Sequence, residues 1–377
     1  FEGSQDHDLV LRCSVQLQRE QIVHIPRVLY HWRVHPESTA AGAKAKPYTV
    51  QAAERAITEH LQRCQLSLQR LSWSPVGFQA DLLLPDPAPR VSVIIPTRNG
   101  LKVLRPCLTS LLERTRYPDL EVLVVDNGSD DPATLQFLAA LEQKGAIRVL
   151  CDPSPFNYAQ LNNKAVRQAS GDLLCLLNND IEVTEPNWLE ALVVQSLRPG
   201  VGAVGARLLY PNQTLQHAGV LLGVGGVANH AHLGWPADHP GYFSRAQLTQ
   251  EMAAVTAACL VVRRDHYLQV GGLDERNLKV AFNDVDFCLK LREIGLQNVY
   301  VPAAKLIHHE SVSRGQDLSP EKAARFASEV AWMQQRWGDQ LNCDPAYNPN
   351  LSLTGESFAL AWPPRLGRWP VEDDDQI

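Results

Sequence analysis

The stretch VSVIIPTRNG, residues 91–100, decides the fold. Residues 91–95 are an uncharged, β-branched run that reads as a buried strand, and Pro96-Thr97-Arg98-Asn99-Gly100 stops it in a loop. Downstream, 101–113 places Leu101, Leu104, Leu108, Leu111 and Leu112 at helical spacing. Residues 120–125 form a second strand, ending in Asp126-Asn127-Gly128-Ser129-Asp130. A helix over 131–143, a strand over 147–150 and a helix over 157–169 follow. The unit closes with a strand over 173–177, ending in Asn178-Asn179-Asp180. Strict β-α alternation predicts an α/β fold, a parallel sheet with helices on both faces. Right-handed crossovers bring these loops to the carboxyl edge of the sheet, where open α/β sheets bind ligands.

Beyond 181 the alternation weakens. A helix is expected over 188–197, short strands over 203–210 and 218–224, a strand over 255–263, a helix over 284–294 and a strand over 299–301. An amphipathic helix with Trp332 and Trp337 covers 319–337, before an acidic tail at 372–377. Residues 225–250 are rich in Gly, His and Pro without periodicity, a length typical of a binding loop. Before the alternating unit, 8–19 reads as a helix, 23–33 as an extended run and 47–70 as a helix, with an alanine-rich joint at 40–46.

Composition narrows the function classes. The chain has 377 residues, 45% apolar and 20% charged, enough for one large domain or two medium ones. Net charge is −6 with no Lys/Arg block, which argues against nucleic-acid coating and a polybasic membrane anchor. The longest apolar runs, 218–228 and 252–262, fall short of the roughly 20 residues a bilayer requires. Eight cysteines with no CxxC pair suggest neither zinc nor a disulfide scaffold and fit a reduced, cytosolic compartment.

Candidate chemistry lies in acids at strand ends. Asp126, Asp152 and Asp180 follow buried runs, where a carboxylate can bind ribose or base, or hold a divalent cation. Asp130 or Asp131, just before a helix, reads better as a cap. Asp180 precedes Ile181-Glu182 and no helix start, so it stands at the crevice. Asp284 and Asp286, in Phe282-Asn283-Asp284-Val285-Asp286, could complement a helix dipole, or one could act as a general base. The run His308-His309-Glu310-Ser311-Val312-Ser313-Arg314-Gly315 suits a loop that closes over metal and phosphates. Gly223-Val224-Gly225-Gly226-Val227-Ala228 fits a dinucleotide fingerprint literally, but no helix pattern follows it, so it reads as a flexible loop.

Together these strings resemble family 2 glycosyltransferases, inverting nucleotide-sugar enzymes of the GT-A fold, above all the bacterial members that build O-antigen or other surface polysaccharide. The matching segments are 91–100, 122–131, FNYAQLNNKAVRQASGDLLCLLNNDIEV (156–183), GGLDE (271–275), NDVDFCLKLREIG (283–295) and HHESVSRG (308–315). The resemblance implies a doubly wound, Rossmann-like, mostly parallel sheet plus a helical C-terminal extension. It implies a nucleotide site from Pro96, Thr97, Arg98, Asn99, Asp126, Asn157, Asn162, Lys164, Asn179 and Arg314. Asp180 matches the last acid of the family's DxD motif and, with His308, would hold Mn²⁺ or Mg²⁺. Asn178 replaces the first acid of that motif. Asp284 matches the catalytic base, with Asn283 where Glu is usual. Trp235, Tyr242 and Asp286 are expected to meet the acceptor. The implied donor is a UDP- or dTDP-linked sugar, and the acceptor a glycan or lipid-linked glycan reached from the cytoplasm, with peripheral association at the inner face of the membrane. Two other readings stay open: a sugar-binding or assembly module without catalysis, and a sugar nucleotidyltransferase.

An internal parallel concerns the first residues. Gly3–Arg12 parallels the run from Phe282 to Arg292, and His35-Pro36-Glu37-Ser38 parallels His308-His309-Glu310-Ser311. The expected organisation is therefore a remnant of an upstream glycosyltransferase domain at 1–40, a helical linker at 41–89, the GT-A domain at 90–315 and a C-terminal extension at 316–377. Asp6 and His35 are expected to be catalytically silent in this chain, because no nucleotide-binding strands precede them.

Overall fold

The computed structural model describes residues 1–18, 21–31, 33, 48–309, 319–354 and 357–366. Arg314, assigned to the nucleotide site above, lies outside the described residues, as does His35. The described chain opens with helices α1 (Gln5–Ser14) and α2 (Tyr48–Arg63), then the antiparallel hairpin β1 (Leu68–Ser74) and β2 (Gly77–Leu82). The helix expected over 47–70 thus ends early. Gln65 turns left-handed at φ 57° and Leu66 N–H reaches back to the Leu61 carbonyl at 2.9 Å, a Schellman-type stop made without glycine.

The alternating unit follows as β3 (Val91–Thr97), α3 (Leu101–Arg114), β4 (Leu120–Asp126), α4 (Pro132–Gln143), β5 (Arg148–Cys151), α5 (Tyr158–Gln168) and β6 (Leu173–Leu177). Next come β7 (Ile181–Val183), α6 (Trp188–Ser196), β8 (Val201–Leu209), β9 (Leu215–His217), β10 (Val220–Leu222), β11 (Ala228–His230), β12 (Gln250–Met252) and β13 (Cys259–Arg263). The chain continues through α7 (Arg264–Gln269), α8 (Asn283–Glu293), β14 (Gln297–His308) and α9 (Pro320–Trp337).

One large sheet runs β12-β14-β8-β13-β6-β3-β4-β5, with β7 on β14 and β9 on β8. β3, β4, β5 and β6 are parallel, and so are β8 and β14; β13 runs antiparallel between β6 and β8. The sheet is mixed but mostly parallel. Period-two alternation sends Val93, Ile95, Val124 and Cys175 to one face, against Leu104 and Leu108 of α3 and Trp188 and Leu192 of α6. Ile94, Leu123 and Leu176 face the other side, against α5, Phe287 of α8 and Trp337 of α9. Burying such a side chain contributes about 1.5–3 kcal/mol, so the two cores fix the register of the central strands.

β14 is far longer than the short strand expected at 299–301. Pro302 and two alanines interrupt its apolar pattern, and its register on β8 shifts between Val301 and Lys305. Pairing resumes beyond that break, because β7 takes the far end, His308 opposite Ile181. Val255–Ala258, expected to begin a strand, stays outside β13. The glycine run at 223–226 closes the β10/β11 hairpin, with Gly223 N–H on the Val227 carbonyl at 2.8 Å. The C-terminal extension is helical only to Asn342. Beyond it, Tyr347, Leu351 and Phe358 pack with the 225–250 loop into a third core.

Candidate active site at the carboxyl edge of the sheet

Parallel β3 and β4 end together at Thr97 and Asp126, so their loops meet. Asn99, left-handed at φ 52°, links them. Its Oδ1 accepts the N–H groups of Asp130 and Asp131, both at 3.0 Å, and its Nδ2 donates to Asp130 Oδ1 at 2.7 Å. Buried Asp126 accepts from Ser129 N and Oγ through Oδ1, at 3.1 and 2.5 Å. Asp131 caps α4 by accepting Thr134 N–H at 3.0 Å.

β6 delivers the Asn178-Asn179-Asp180 run beside them. Asn179 Nδ2 donates to Thr97 Oγ1 at 2.9 Å. β14 brings buried His308 alongside, its Nε2 3.1 Å from Asp180 Oδ1 and 3.4 Å from Asn178 Nδ2. The backbone seals the contact, since His309 N–H donates to the Asp180 carbonyl at 2.9 Å. Beside this pair is a cavity of about 320 Å³ lined by Pro96, Thr97, Arg98, Asn178, Asn179 and Asp180 from the sheet edge. Phe156, Tyr158 and Val280 form further wall, and Lys322 and Arg325 of α9 complete it. The volume suits a small organic ligand, and the three basic residues, Arg98, Lys322 and Arg325, suit an anionic one.

A carboxylate and an imidazole converging at one spot are a donor set that Mn²⁺ or Mg²⁺ accepts. Among the described residues no three His, Cys, Asp or Glu side chains gather into a metal cluster. By their chemistry Asp180 and His308 would suit a divalent ion.

Asp284 stands in the first turn of α8, half-buried. Its Oδ1 accepts Val285 N–H at 2.9 Å and its Oδ2 accepts Ala257 N–H at 3.1 Å. The Ala257 carbonyl in turn accepts the Tyr158 hydroxyl at 3.1 Å, which joins the acid to the cavity wall. The loop before Asp284 is held from α9. Buried Glu329 accepts Val280 N–H through Oε1 at 2.8 Å and pairs with Arg325 through Oε2 at 3.6 Å. Phe326 packs on Phe282, left-handed at φ 58°, with ring centroids 5.5 Å apart. Asn283 donates to the Val280 carbonyl at 2.7 Å, so its amide holds the same loop.

Sequence reasoning missed His217. It is fully buried on β9, with Nδ1 2.8 Å from the Ala206 carbonyl, and its Nε2 accepts Thr256 N–H at 3.2 Å. Burial, with His230 nearby, lowers its pKa to about 3, so it stays neutral beneath the loop that supplies Ala257. A lone His in an apolar run carries no sequence signal for that role. Arg325 and Glu329 were missed as well, on a helix whose periodicity shows only that it is amphipathic.

Several expected ligands sit elsewhere. Asn157 caps α5, accepting Gln160 N–H at 3.0 Å and donating to the Glu275 carbonyl at 2.8 Å. Asn162 is fully buried and donates to the Tyr158 carbonyl, so it has no surface toward a nucleotide. Lys164 pairs with Asp152 at 2.6 Å, outside the cavity lining. Asp286 is fully buried between Lys290, Arg336 and the Trp337 indole, out of an acceptor's reach. Trp235 packs edge-on to His232 and His239, and Tyr242 stacks on Phe358, so both rings already have protein partners.

The GGLDE motif proves to be a brace. Gly272 has φ 70°, and a Cβ there would lie 2.5 Å from Asn163 Oδ1. Asn163 receives Leu273 N–H at 3.0 Å and the Tyr267 hydroxyl at 2.7 Å, while Lys290 Nζ donates to the Gly272 carbonyl.

A mostly parallel sheet thus carries an acid–histidine pair at its carboxyl edge, with a half-buried acid on the facing helix. Residues 92–271 match the model of glycosyl transferase family 2. The chain is 49% identical to protein y4gI of Sinorhizobium fredii over 98% of its length, and 38% identical to the O-antigen biosynthesis protein RfbC of Myxococcus xanthus over 97%. It spans only 41% and 28% of those two relatives. It is 30% identical to the N-acetylglucosaminyl-diphospho-decaprenol L-rhamnosyltransferase of Mycobacterium tuberculosis, across 61% of this chain and 79% of that one. In fold it is similar to GalNAc-T7, solved with UDP, GalNAc and Mn²⁺, at a TM-score of 0.56 and 15% identity, over 78% of this chain and 57% of that one. The chain belongs to glycosyl transferase family 2.

Proposed function

We propose that the chain moves a sugar from a UDP- or dTDP-linked donor to a hydroxyl of a growing bacterial glycan, inverting the anomeric carbon. The observation that carries this reading is the convergence of Asp180, Thr97 and Asn179 on one cavity, with His308 paired to Asp180 and Asp284 tied to the wall through Ala257 and Tyr158. In this reading the nucleotide lies along Thr97, Arg98 and Asn179, close to Asp126. Lys322 and Arg325, with Arg314, offset the diphosphate charge. Asp284 takes the proton of the acceptor hydroxyl as its oxygen attacks the anomeric carbon, and the nucleoside diphosphate departs with the bonding electron pair. A divalent ion held by Asp180 and His308 would supply further charge neutralisation at the diphosphate.

The relatives named for O-antigen biosynthesis and for a diphospho-decaprenol acceptor support a glycan or lipid-linked glycan as acceptor. Among the described residues no helix is long and apolar enough to cross a membrane, and peripheral contact at the inner face suits a lipid-linked substrate. All eight cysteines are free, in keeping with the cytoplasm. The decisive experiment is incubation with UDP- and dTDP-sugars and Mn²⁺, reading thermal shift and product. A bound nucleotide at a hundredfold excess over its dissociation constant adds about 2.7 kcal/mol of stability. Pyrophosphate release would instead indicate a nucleotidyltransferase. Asn178 and Asn283, in place of acids, favour a second reading, a binding module that takes nucleotide without turnover. Nucleotide-dependent stabilisation with no transfer to any acceptor extract would select it.

A further inference from the structure

We propose that α1, residues 21–31 and α2 are the closing part of a second glycosyltransferase site, completed by a nucleotide-binding sheet carried elsewhere on the same polypeptide. A short motif recurs in sequence and in its ion pairs. DHDLVLR at 6–12 matches DVDFCLK at 284–290. In α8, Asp286 is buried, with Oδ2 on Lys290 at 3.4 Å and Oδ1 on Arg336 of the next helix at 3.3 Å. In α1, Asp8 is buried, with Oδ2 on Arg12 at 2.9 Å and Oδ1 on Arg63 of the next helix at 3.9 Å. Asp6 Oδ1 accepts the following N–H at 2.8 Å, as Asp284 Oδ1 does at 2.9 Å. The buried acid of α1 is thus paired as that of α8 is, which carries the parallel past residue 40 to Arg63 of α2.

The two copies differ in what covers them. Phe287 and Cys288 are 0% exposed against the sheet, whereas their counterparts Leu9 and Val10 are 54% and 64% exposed. β14 follows α8 inside the sheet, but 21–31 joins no strand among the described residues. It leaves Val23 and Leu29 79% and 72% exposed and is tied down at Pro26 by Asn350 Nδ2 at 3.0 Å. A contiguous apolar surface of this kind marks an interface. A second copy of this chain has no bare sheet to offer, since helices cover both faces of its own. The fitting occupant is a parallel sheet that lacks its α8- and β14-like elements. Asp6, exposed and without a counterpart to the Ala257 N–H, then takes the position of Asp284. Its carboxylate would accept the proton of an acceptor hydroxyl while that oxygen bonds the anomeric carbon of a second nucleotide sugar, whose nucleoside diphosphate leaves with the electron pair.

This chemistry rests on the reading of Asp284 above, and the test separates the two. In the full native polypeptide, backbone amides of 21–31 should exchange at least about tenfold more slowly than in the 377-residue chain. With incorporated sugars read by mass spectrometry, Asp6→Asn should lower one transfer about 100-fold or more, and Asp284→Asn the other. Asp6 is exposed, so its amide variant keeps the fold. Equal exchange in the two polypeptides, or two wild-type transfers in Asp6→Asn, overturns the second site. Two wild-type transfers in Asp284→Asn, with Asp6→Asn still deficient, overturn the resident assignment alone.

Discussion

Asp284 holds one backbone N–H on each oxygen, and each oxygen keeps a lone pair for a substrate proton. Asp284→Asn preserves shape and removes basicity, so kcat should fall about 10²- to 10⁴-fold while nucleotide binding, followed by calorimetry, stays within about twofold. A variant with wild-type kcat would exclude Asp284 as the base. In the proposed reaction Asp180→Asn acts at the opposite end, at the diphosphate. It should weaken Mn²⁺-dependent nucleotide binding while leaving the metal-free melting temperature nearly unchanged, and a titration of Mn²⁺ with UDP present checks this. At this scale the positions of the acids that end strands were legible in the sequence, because a strand end has a defined address on the sheet edge. It misplaced Asn157, Asn162 and Asp286, because helix caps, buried amides and buried ion pairs draw on the same residue types as ligands do. Only packing distinguishes them.

The element that changes the picture most is α9. Its periodicity predicts an amphipathic packing helix, and Met333 and Trp337 do fill the core. The same helix also carries Lys322 and Arg325 to the cavity and Glu329 to the Val280 N–H, thereby setting the loop that ends in Asp284. Glu329→Ala leaves that N–H and the Arg325 charge without this buried partner, a loss of about 1–3 kcal/mol in urea unfolding. Glu329→Gln keeps an acceptor for Val280 and should recover most of that stability. If the helix positions the base, Glu329→Ala also lowers kcat more than it raises the donor KM, and the Gln variant restores part of the rate. A stability loss with unchanged kinetics would make Glu329 a packing residue only. Strongly periodic elements such as α3, α5 and β6 were legible almost to the residue, because burial and periodicity agree there. The β1/β2 hairpin was not, since Gln65 ends α2 without glycine. Nor was the length of β14, whose apolar rhythm breaks at Pro302 before β7 pairs with its far end.

The whole molecule places neutral histidines where unfolding would let them charge. Burial lowers His217 to about 3, and burial with Arg245 nearby lowers His232 to about 4. Both values lie below the ordinary 6.5, so between that value and the folded pKa the unfolded chain binds more protons than the native one. The stability from keeping them neutral is present in full above pH 6.5 and is lost as pH falls toward 4 and then 3. Two protons give a slope of at most about 2.7 kcal/mol per pH unit near pH 5. Asp344 acts in the opposite sense, because burial raises its pKa and its native form takes up a proton first on acidification. It therefore offsets part of the histidine slope. His217 lies beneath the Thr256–Ala257 backbone that holds Asp284, so acid should loosen the seat of Asp284 before the sheet itself opens. His217→Gln can still donate to the Ala206 carbonyl and accept from Thr256 N–H, and it removes the titrating ring. Urea midpoints measured from pH 4 to 8 should show a slope shallower by about one proton in this variant. The acid-side loss of activity should move to lower pH with it. An unchanged slope would mean that His217 is not the group whose protonation opens the site.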